Sequence, residues 1–239
     1  MIRLDPWDHL RGGEIELGLA SIREAHAHDR SASRIMELGV AYLWAGQYAA
    51  AWEHFQDAML AHHQSMARFY GMAGVAKWCL NQPRTALEWW RIGMGADYAD
   101  GAGGIRLPLL LYVASVLRPE TSSRKEAEHL LRAKAEDPRV ANWPGPLGKF
   151  VLGKINAGTL EELSVDTKNG VIRPEYKWLI GFYRGIVDLE LKHLDGAHFR
   201  TLTRGMADTS GPEWSERRDF LHLVWHEEFF IARHEASVS

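Results

Sequence analysis

The chain has 239 residues, 46% of them hydrophobic and 25% charged, with a formal net charge of −3. That length buries an ordinary core, and without a basic excess the chain has little with which to neutralise phosphates, which argues against nucleic acid as its main partner. One cysteine, Cys79, allows no intrachain disulfide; the first residues, Met-Ile-Arg-Leu-Asp-Pro-Trp-Asp, lack the apolar run of a signal peptide, and the longest apolar stretch, Leu107 to Leu117, is too short to cross a bilayer. The expectation is a cytoplasmic protein that does not act on a membrane.

In chain order, Gly18, Ile22 and Ala25 have the spacing of the second helix of a hairpin, so the chain opens with a degenerate copy of a repeat. The clearest copy follows from Ala32, with Leu38-Gly39, Tyr42, Gly46, Tyr48, Ala51, Phe55 and Ala58. Gly39, Ala51 and Ala58 are small enough for two antiparallel helices to approach closely, and Tyr42, Tyr48 and Phe55 fill the space around them. Gly46 supplies the left-handed residue that ends the first helix. Thirty-five residues on, Ala73-Gly74, Asn81, Ala86, Trp90 and Gly93 take equivalent places, and Pro83 sits where a helix tolerates proline. A third copy has Ala114-Ser115, Ala127, Leu131 and Lys134, and closes at Pro138; Ser123 with Glu126 forms a capping box for its second helix.

Asn142-Trp143-Pro144-Gly145-Pro146 then breaks the pattern. A short helix is predicted over Leu147–Ile155, and Thr159 with Glu162 predicts a capping box for a brief helix near Leu160–Val165. Asn169-Gly170 reads as a turn and Pro174 opens a long helix. In the fourth copy Arg184-Gly185 and Ala197 hold the small-residue places. Ser210-Gly211-Pro212 ends it, and a final amphipathic helix is predicted from about Trp214 to Arg233, with Phe220, Leu223, Val224, Phe230 and Ile231 near one side. No alternating apolar run is long enough to suggest a strand.

The copy beginning at Ala32 resembles the tetratricopeptide repeat (TPR) in residue type and spacing, and the insert with its Trp-Pro-Gly-Pro run is similar to that of some stand-alone bacterial TPR proteins. The resemblance implies an all-α fold, a right-handed α-α superhelix with an irregular insert and a C-terminal capping helix. Residues 1–138 would hold the N-terminal repeats, 139–172 the insert, and 173–239 a further repeat and the terminal helix, in one continuous domain. It also implies a concave groove lined by the first helices of successive repeats. The groove positions it picks out for partner binding are Met36, Val40, Leu43, Trp44, Arg68, Val75, Trp78, Tyr112 and Phe182. Met36 and Val40 stand where co-chaperone TPR proteins carry the Lys and Asn of a carboxylate clamp, so the docking of chaperone tails is not implied. The alternative is a groove filled by the chain itself, through 139–172 or the terminal helix, with Trp44 and Trp78 in the core.

Other chemistry is thinly represented. Of the 12 histidines, His26 and His28 point to different sides of a helix, and His62 and His63 are adjacent at a helix end. His226-Glu227-Glu228-Phe229-Phe230 begins like a zinc-protease motif, but position 230 is Phe where the second histidine belongs. Gly101-Ala102-Gly103-Gly104 lacks the preceding strand and the following Lys-Ser/Thr of a phosphate loop, and reads as a flexible connection. Cys79, between Trp78 and Leu80, reads as a buried structural thiol. No catalytic residue, metal or cofactor is expected. The function expected is recognition of one protein partner, in the form of an immunity protein or inhibitor that neutralises a bacterial toxin. The alternatives are an assembly adaptor for an envelope or secretion complex, and a self-associating structural protein, with a homodimer as its simplest form.

Overall fold

A computed structural model of the chain describes residues 5–61, 66–97, 99, 102–135, 137–165, 170–210, 214 and 223–238. The described regular structure is helical apart from isolated bridge residues, among them the antiparallel pair Val165 and Ile172. The contacts cluster into two compact units, Met1–Tyr98 and Ala99–Ser239. The boundary between these clusters, at Tyr98 and Ala99, does not coincide with the insert boundaries near 138 and 172.

The first unit holds three helix hairpins: α1 (Pro6–Arg11) with α2 (Ile15–His28), α3 (Ala32–Trp44) with α4 (Tyr48–Ala61), and α5 (Ala67–Cys79) with α6 (Pro83–Gly93). Each hairpin closes on a glycine. A Cβ at Gly18 would lie 2.6 Å from Leu10 Cγ, and one at Gly39 would lie 2.5 Å from Phe55 Cε1. One at Gly74 would overlap the indole of Trp90, whose N–H donates to the Gly71 carbonyl at 3.0 Å. The aromatic ring thus occupies the space a side chain would need, and the two helices of a hairpin meet at backbone distance. Ala51, Phe55, Ala58, Ala86 and Trp90 are fully buried, as the repeat spacing predicts; Ala25, expected on the inner side of α2, is exposed.

The turns inside the hairpins follow one pattern. Gly46 has φ +73° and Asn81 φ +57°, and in each the following N–H reaches back five residues, Gln47 to the Tyr42 carbonyl and Gln82 to the Lys77 carbonyl, both at 2.9 Å. This left-handed C-terminal closure suits glycine and, next best, asparagine. Lys192, at φ +60°, closes a later helix in the same way, with His193 donating to the Asp188 carbonyl.

The second unit holds α7 (Arg106–Leu117), α8 (Arg124–Ala135), a 3-10 turn (Pro138–Ala141), α9 (Gly145–Val151), α10 (Ala157–Ser164), α11 (Pro174–Glu190), α12 (Gly196–Ala207) and α13 (Glu227–Ser237). The Ser123 hydroxyl accepts from the Glu126 N–H at 3.2 Å, the first half of the predicted capping box. Gly101 lies outside the described residues. In the rest of its run Ala102 and Gly103 are buried, and Gly103 (φ +73°) packs on the Asp137 side chain. In the Trp-Pro-Gly-Pro run, Trp143 stacks on Tyr176 of α11 with centroids 4.5 Å apart.

Four expectations in this unit are corrected. The short helix after the prolines is Gly145–Val151, ending earlier than Ile155. The next helix starts at Ala157, three residues before the expected Leu160, because Asn156 rather than Thr159 caps it; the Asn156 side chain accepts from the Thr159 N–H at 2.9 Å. In the fourth copy Ala197 is exposed, and Phe199 and Thr203 are the buried residues of α12. There the connection between α11 and α12, residues 191–195, is two residues longer than those at 45–47 and 80–82, which shifts the register of the second helix by two, and Gly185 packs on Leu202 and Phe199. The last predicted helix is interrupted: Leu223 and Val224 are helical, Trp225 and His226 are not, and α13 begins at Glu227. The Asn169 end of one predicted turn, Gly211 and Pro212, and the stretch with Phe220 lie outside the described residues.

Candidate partner-binding site

Eight of the nine groove positions are buried. In the first unit these are Met36, Val40, Leu43 and Trp44 on α3 and Val75 and Trp78 on α5; in the second they are Tyr112 on α7 and Phe182 on α11. Arg68, near the start of α5, is exposed. The α3 and α5 residues come from neighbouring first helices, as the repeat implies, but they are packed rather than displayed. Trp44 donates its indole N–H to the Leu10 carbonyl at 3.0 Å, tying α3 to the opening hairpin. Trp78 stacks on Trp90 with centroids 5.9 Å apart. Phe182 stacks on Trp178 at 5.6 Å. The Tyr112 hydroxyl donates to Glu190 Oε2 at 2.6 Å while the Arg124 guanidinium lies 4.0 Å over its ring, and burial with this hydrogen bond pushes the phenol far above its ordinary value. Arg124 also pairs with Glu190 directly. His62 and His63 lie outside the described residues; among the described residues no three His, Cys, Asp or Glu side chains converge on a metal-sized site. Cys79 is a buried free thiol.

The aromatic side chains of the first unit that do reach the surface lie on the second helices. Trp52 of α4 and Trp89 of α6 are both half-buried and meet edge to face, with centroids 5.0 Å apart. The Lys77 ammonium of α5 sits 4.2 Å over the Trp52 ring, and Tyr70 of α5 flanks Trp89 at 5.8 Å, its phenol pushed up by burial. The pair joins two hairpins because Trp52 follows Ala51, and Trp89 precedes Trp90. Each is one residue, or about 100° of helix rotation, away from a position that packs inside its own hairpin. Two amphipathic rings with one end accessible, beside a cation, carry the chemistry that dominates protein interfaces. The repeat spacing held no signal for them, since at its 35-residue offset Trp52 corresponds to Leu87 and Trp89 to His54.

The junction of the preceding hairpins has a related cluster. His54 of α4 stacks flat on Tyr42 at 5.1 Å, His26 of α2 meets it edge-on at 6.2 Å, and Arg23 Nε donates to the Tyr42 hydroxyl at 2.9 Å. Burial holds the His54 imidazole below its ordinary value. Exposed apolar side chains, Leu17, Leu60 and Ile92, likewise fall on α2, α4 and α6.

In the second unit the polar interior gathers around α13. His226, Glu227, Glu228, His234 and Glu235 are all buried. Arg106 of α7 meets Glu227 at 3.2 Å, Arg118 just beyond α7 meets Glu235 at 2.9 Å, and the Tyr183 hydroxyl of α11 donates to Glu228 Oε1 at 2.7 Å. Burial and the neighbouring Glu227 push the Glu228 carboxyl up, and burial together with Glu228 does the same to the Tyr183 phenol. Separately, Trp178, Gly181, Leu202, Met206 and Trp214 help line an apolar recess of about 650 Å³ between α11 and α12.

No family model, curated protein or solved structure matches this chain. Among the described residues no helix is long and apolar enough to cross a membrane.

Proposed function

We propose that this chain is a protein-binding scaffold of TPR-like helix hairpins, which holds one protein partner on the outer helices of its first unit, with Trp52 and Trp89 as anchors. The observation that carries the reading is the half-buried Trp52–Trp89 pair spanning α4 and α6 with Lys77 on its flank. Rigid aromatic rings on a packed scaffold lose little conformational freedom on binding, so a small patch can supply much of an interface's energy. The first-helix residues Trp44 and Trp78 serve this surface indirectly, by fixing the spacing of the hairpins that carry it. In its finer form we propose sequestration of the partner, in the manner of an immunity protein that blocks a toxin; the net charge of −3 suits a basic partner surface.

The test is affinity purification of the tagged chain from its own cells, followed by binding measurements on the recovered partner. Trp52→Ala and Trp89→Ala, singly, are expected to weaken binding by at least about tenfold, more than 1.4 kcal/mol each, with helicity unchanged. Binding unchanged in the double variant refutes the surface. A single partner whose activity falls on binding supports the inhibitor form, and one recovered within a larger assembly supports an adaptor.

A further inference from the structure

Among the described residues, nine polar or charged residues are buried, and five of them lie on α13 or directly before it. This helix packs chiefly on α12, and it reaches α7 and α11 through charged and hydroxyl groups. Its first residue, Glu227, pairs with the first residue of α7, and Glu235 pairs with Arg118 just past the last. The two carboxylates are eight residues apart, about 12 Å along a helix, and they meet two guanidiniums set at opposite ends of α7. The helix also buries Phe229, Phe230, Ile231 and Ala232, with Phe229 tilted against Trp178 of α11 at 5.8 Å. Ion pairs removed from water recover little more than their desolvation costs, so they fix where a helix sits more than how tightly it is held. Within the contact Glu228 Oε2 is buried with no hydrogen-bond partner, which costs the helix the desolvation of that group.

We propose that α13 is a displaceable strap over a helix-binding recess formed by α7, α11 and α12, standing in for a partner helix that presents two carboxylates to Arg106 and Arg118 and aromatic side chains to Trp178. The proposal rests on the second unit alone and is independent of the Trp52–Trp89 surface. The groups facing Glu228 are Tyr183 from α11, Arg106 from α7 and Glu227 from its own helix; the charged residues of α12, His198, Arg200 and Arg204, are exposed. Because the folded protein holds Glu228 protonated above its ordinary range, the stability that this one group contributes is complete below its unfolded value near 4.5 and is lost as pH rises through the raised folded value. Ionisation then sets two adjacent carboxylates against one guanidinium, and the strap loosens as the solution becomes more alkaline.

Two measurements on the full chain decide it. In hydrogen exchange, amides of α13 are expected to open at least about tenfold more readily than those of α11. Their protection, corrected for intrinsic rates, should fall with rising pH in the native chain but not in Glu228→Gln. Equal, pH-independent protection of the two helices overturns the proposal. In the second, a labelled peptide with the sequence of residues 226–238 is titrated into Glu227→Arg/Glu235→Arg, whose own strap is repelled by Arg106 and Arg118. Binding at least about a hundredfold tighter than to the native chain is expected, since the strap no longer competes at high effective concentration, and adding Arg106→Glu/Arg118→Glu should abolish it. No binding by a folded Glu227→Arg/Glu235→Arg chain, or equal binding of a peptide with both carboxylates replaced by amides, overturns it. If that variant does not fold, the exchange experiment stands alone. Loss of the Trp52–Trp89 interaction with α13 still opening would sink the proposed function and leave this inference standing.

Discussion

At the scale of single residues, the glycines that matter are those with an aromatic ring where their side chain would be. Gly74 lies against the Trp90 indole, whereas a Cβ at Gly205 of α12 would meet nothing within 4 Å. The two substitutions therefore have opposite signs. Gly205→Ala gains helix propensity and should stabilise by about 0.5–1 kcal/mol. Gly74→Ala gains the same propensity but overpacks a filled core, and should destabilise by about 1–2 kcal/mol net. Urea unfolding of both variants measures the difference, and equal effects would contradict the packing described. His54 supplies a pH signature. Its folded value is depressed, chiefly by burial, so the stability it contributes is present above its unfolded value near 6.5 and is lost as pH falls through the folded value. Thermal melts at pH 7.5 and 5 should show a decline that shrinks in His54→Phe. The glycine and asparagine roles were legible in the sequence because close approach and left-handed closure admit few other residues. Trp52 and Trp89 were not, since a tryptophan on a helix looks the same whether it faces inward or outward until the neighbouring hairpin is in place.

At the scale of elements, the hairpins of the first unit follow from spacing, while the helices after residue 138 depend on local competition between caps. Asn156 and Thr159 both offer a side-chain acceptor near the start of α10, and asparagine takes the N-terminal place by accepting from the Thr159 N–H. Asn156→Ala should cost about 1 kcal/mol and Thr159→Ala far less; the reverse order in denaturant unfolding would restore the capping box read from the sequence. In the fourth copy the connection 191–195, two residues longer than those at 45–47 and 80–82, decides the register of α12, a length that the small-residue pattern does not encode. The break at Trp225–His226 was hidden for a related reason. Amphipathic spacing continues across it, but α13 is placed by Arg106, Arg118 and Tyr183, contacts remote in sequence.

At the scale of the molecule, repeat spacing made the all-helical class readable, because small residues recurring opposite aromatics demand stacked hairpins. The division between Tyr98 and Ala99 was not readable: no change in composition marks it, and it arises from which helices find partners. The groove positions show the same limit. The nine positions lie on α3, α5, α7 and α11, but eight of them are buried and only Arg68 is exposed. A partner would then be met by the outer helices, where Trp52, Trp89, Leu17, Leu60 and Ile92 remain accessible to varying degrees. The most direct test is the affinity of the recovered partner for the native chain, for Trp52→Ala/Trp89→Ala, and for Tyr112→Phe in the second unit as a core control. The account predicts a loss of about a hundredfold or more in the double variant and near-native affinity in the control. Native affinity in the double variant, or loss only in the control, would contradict it.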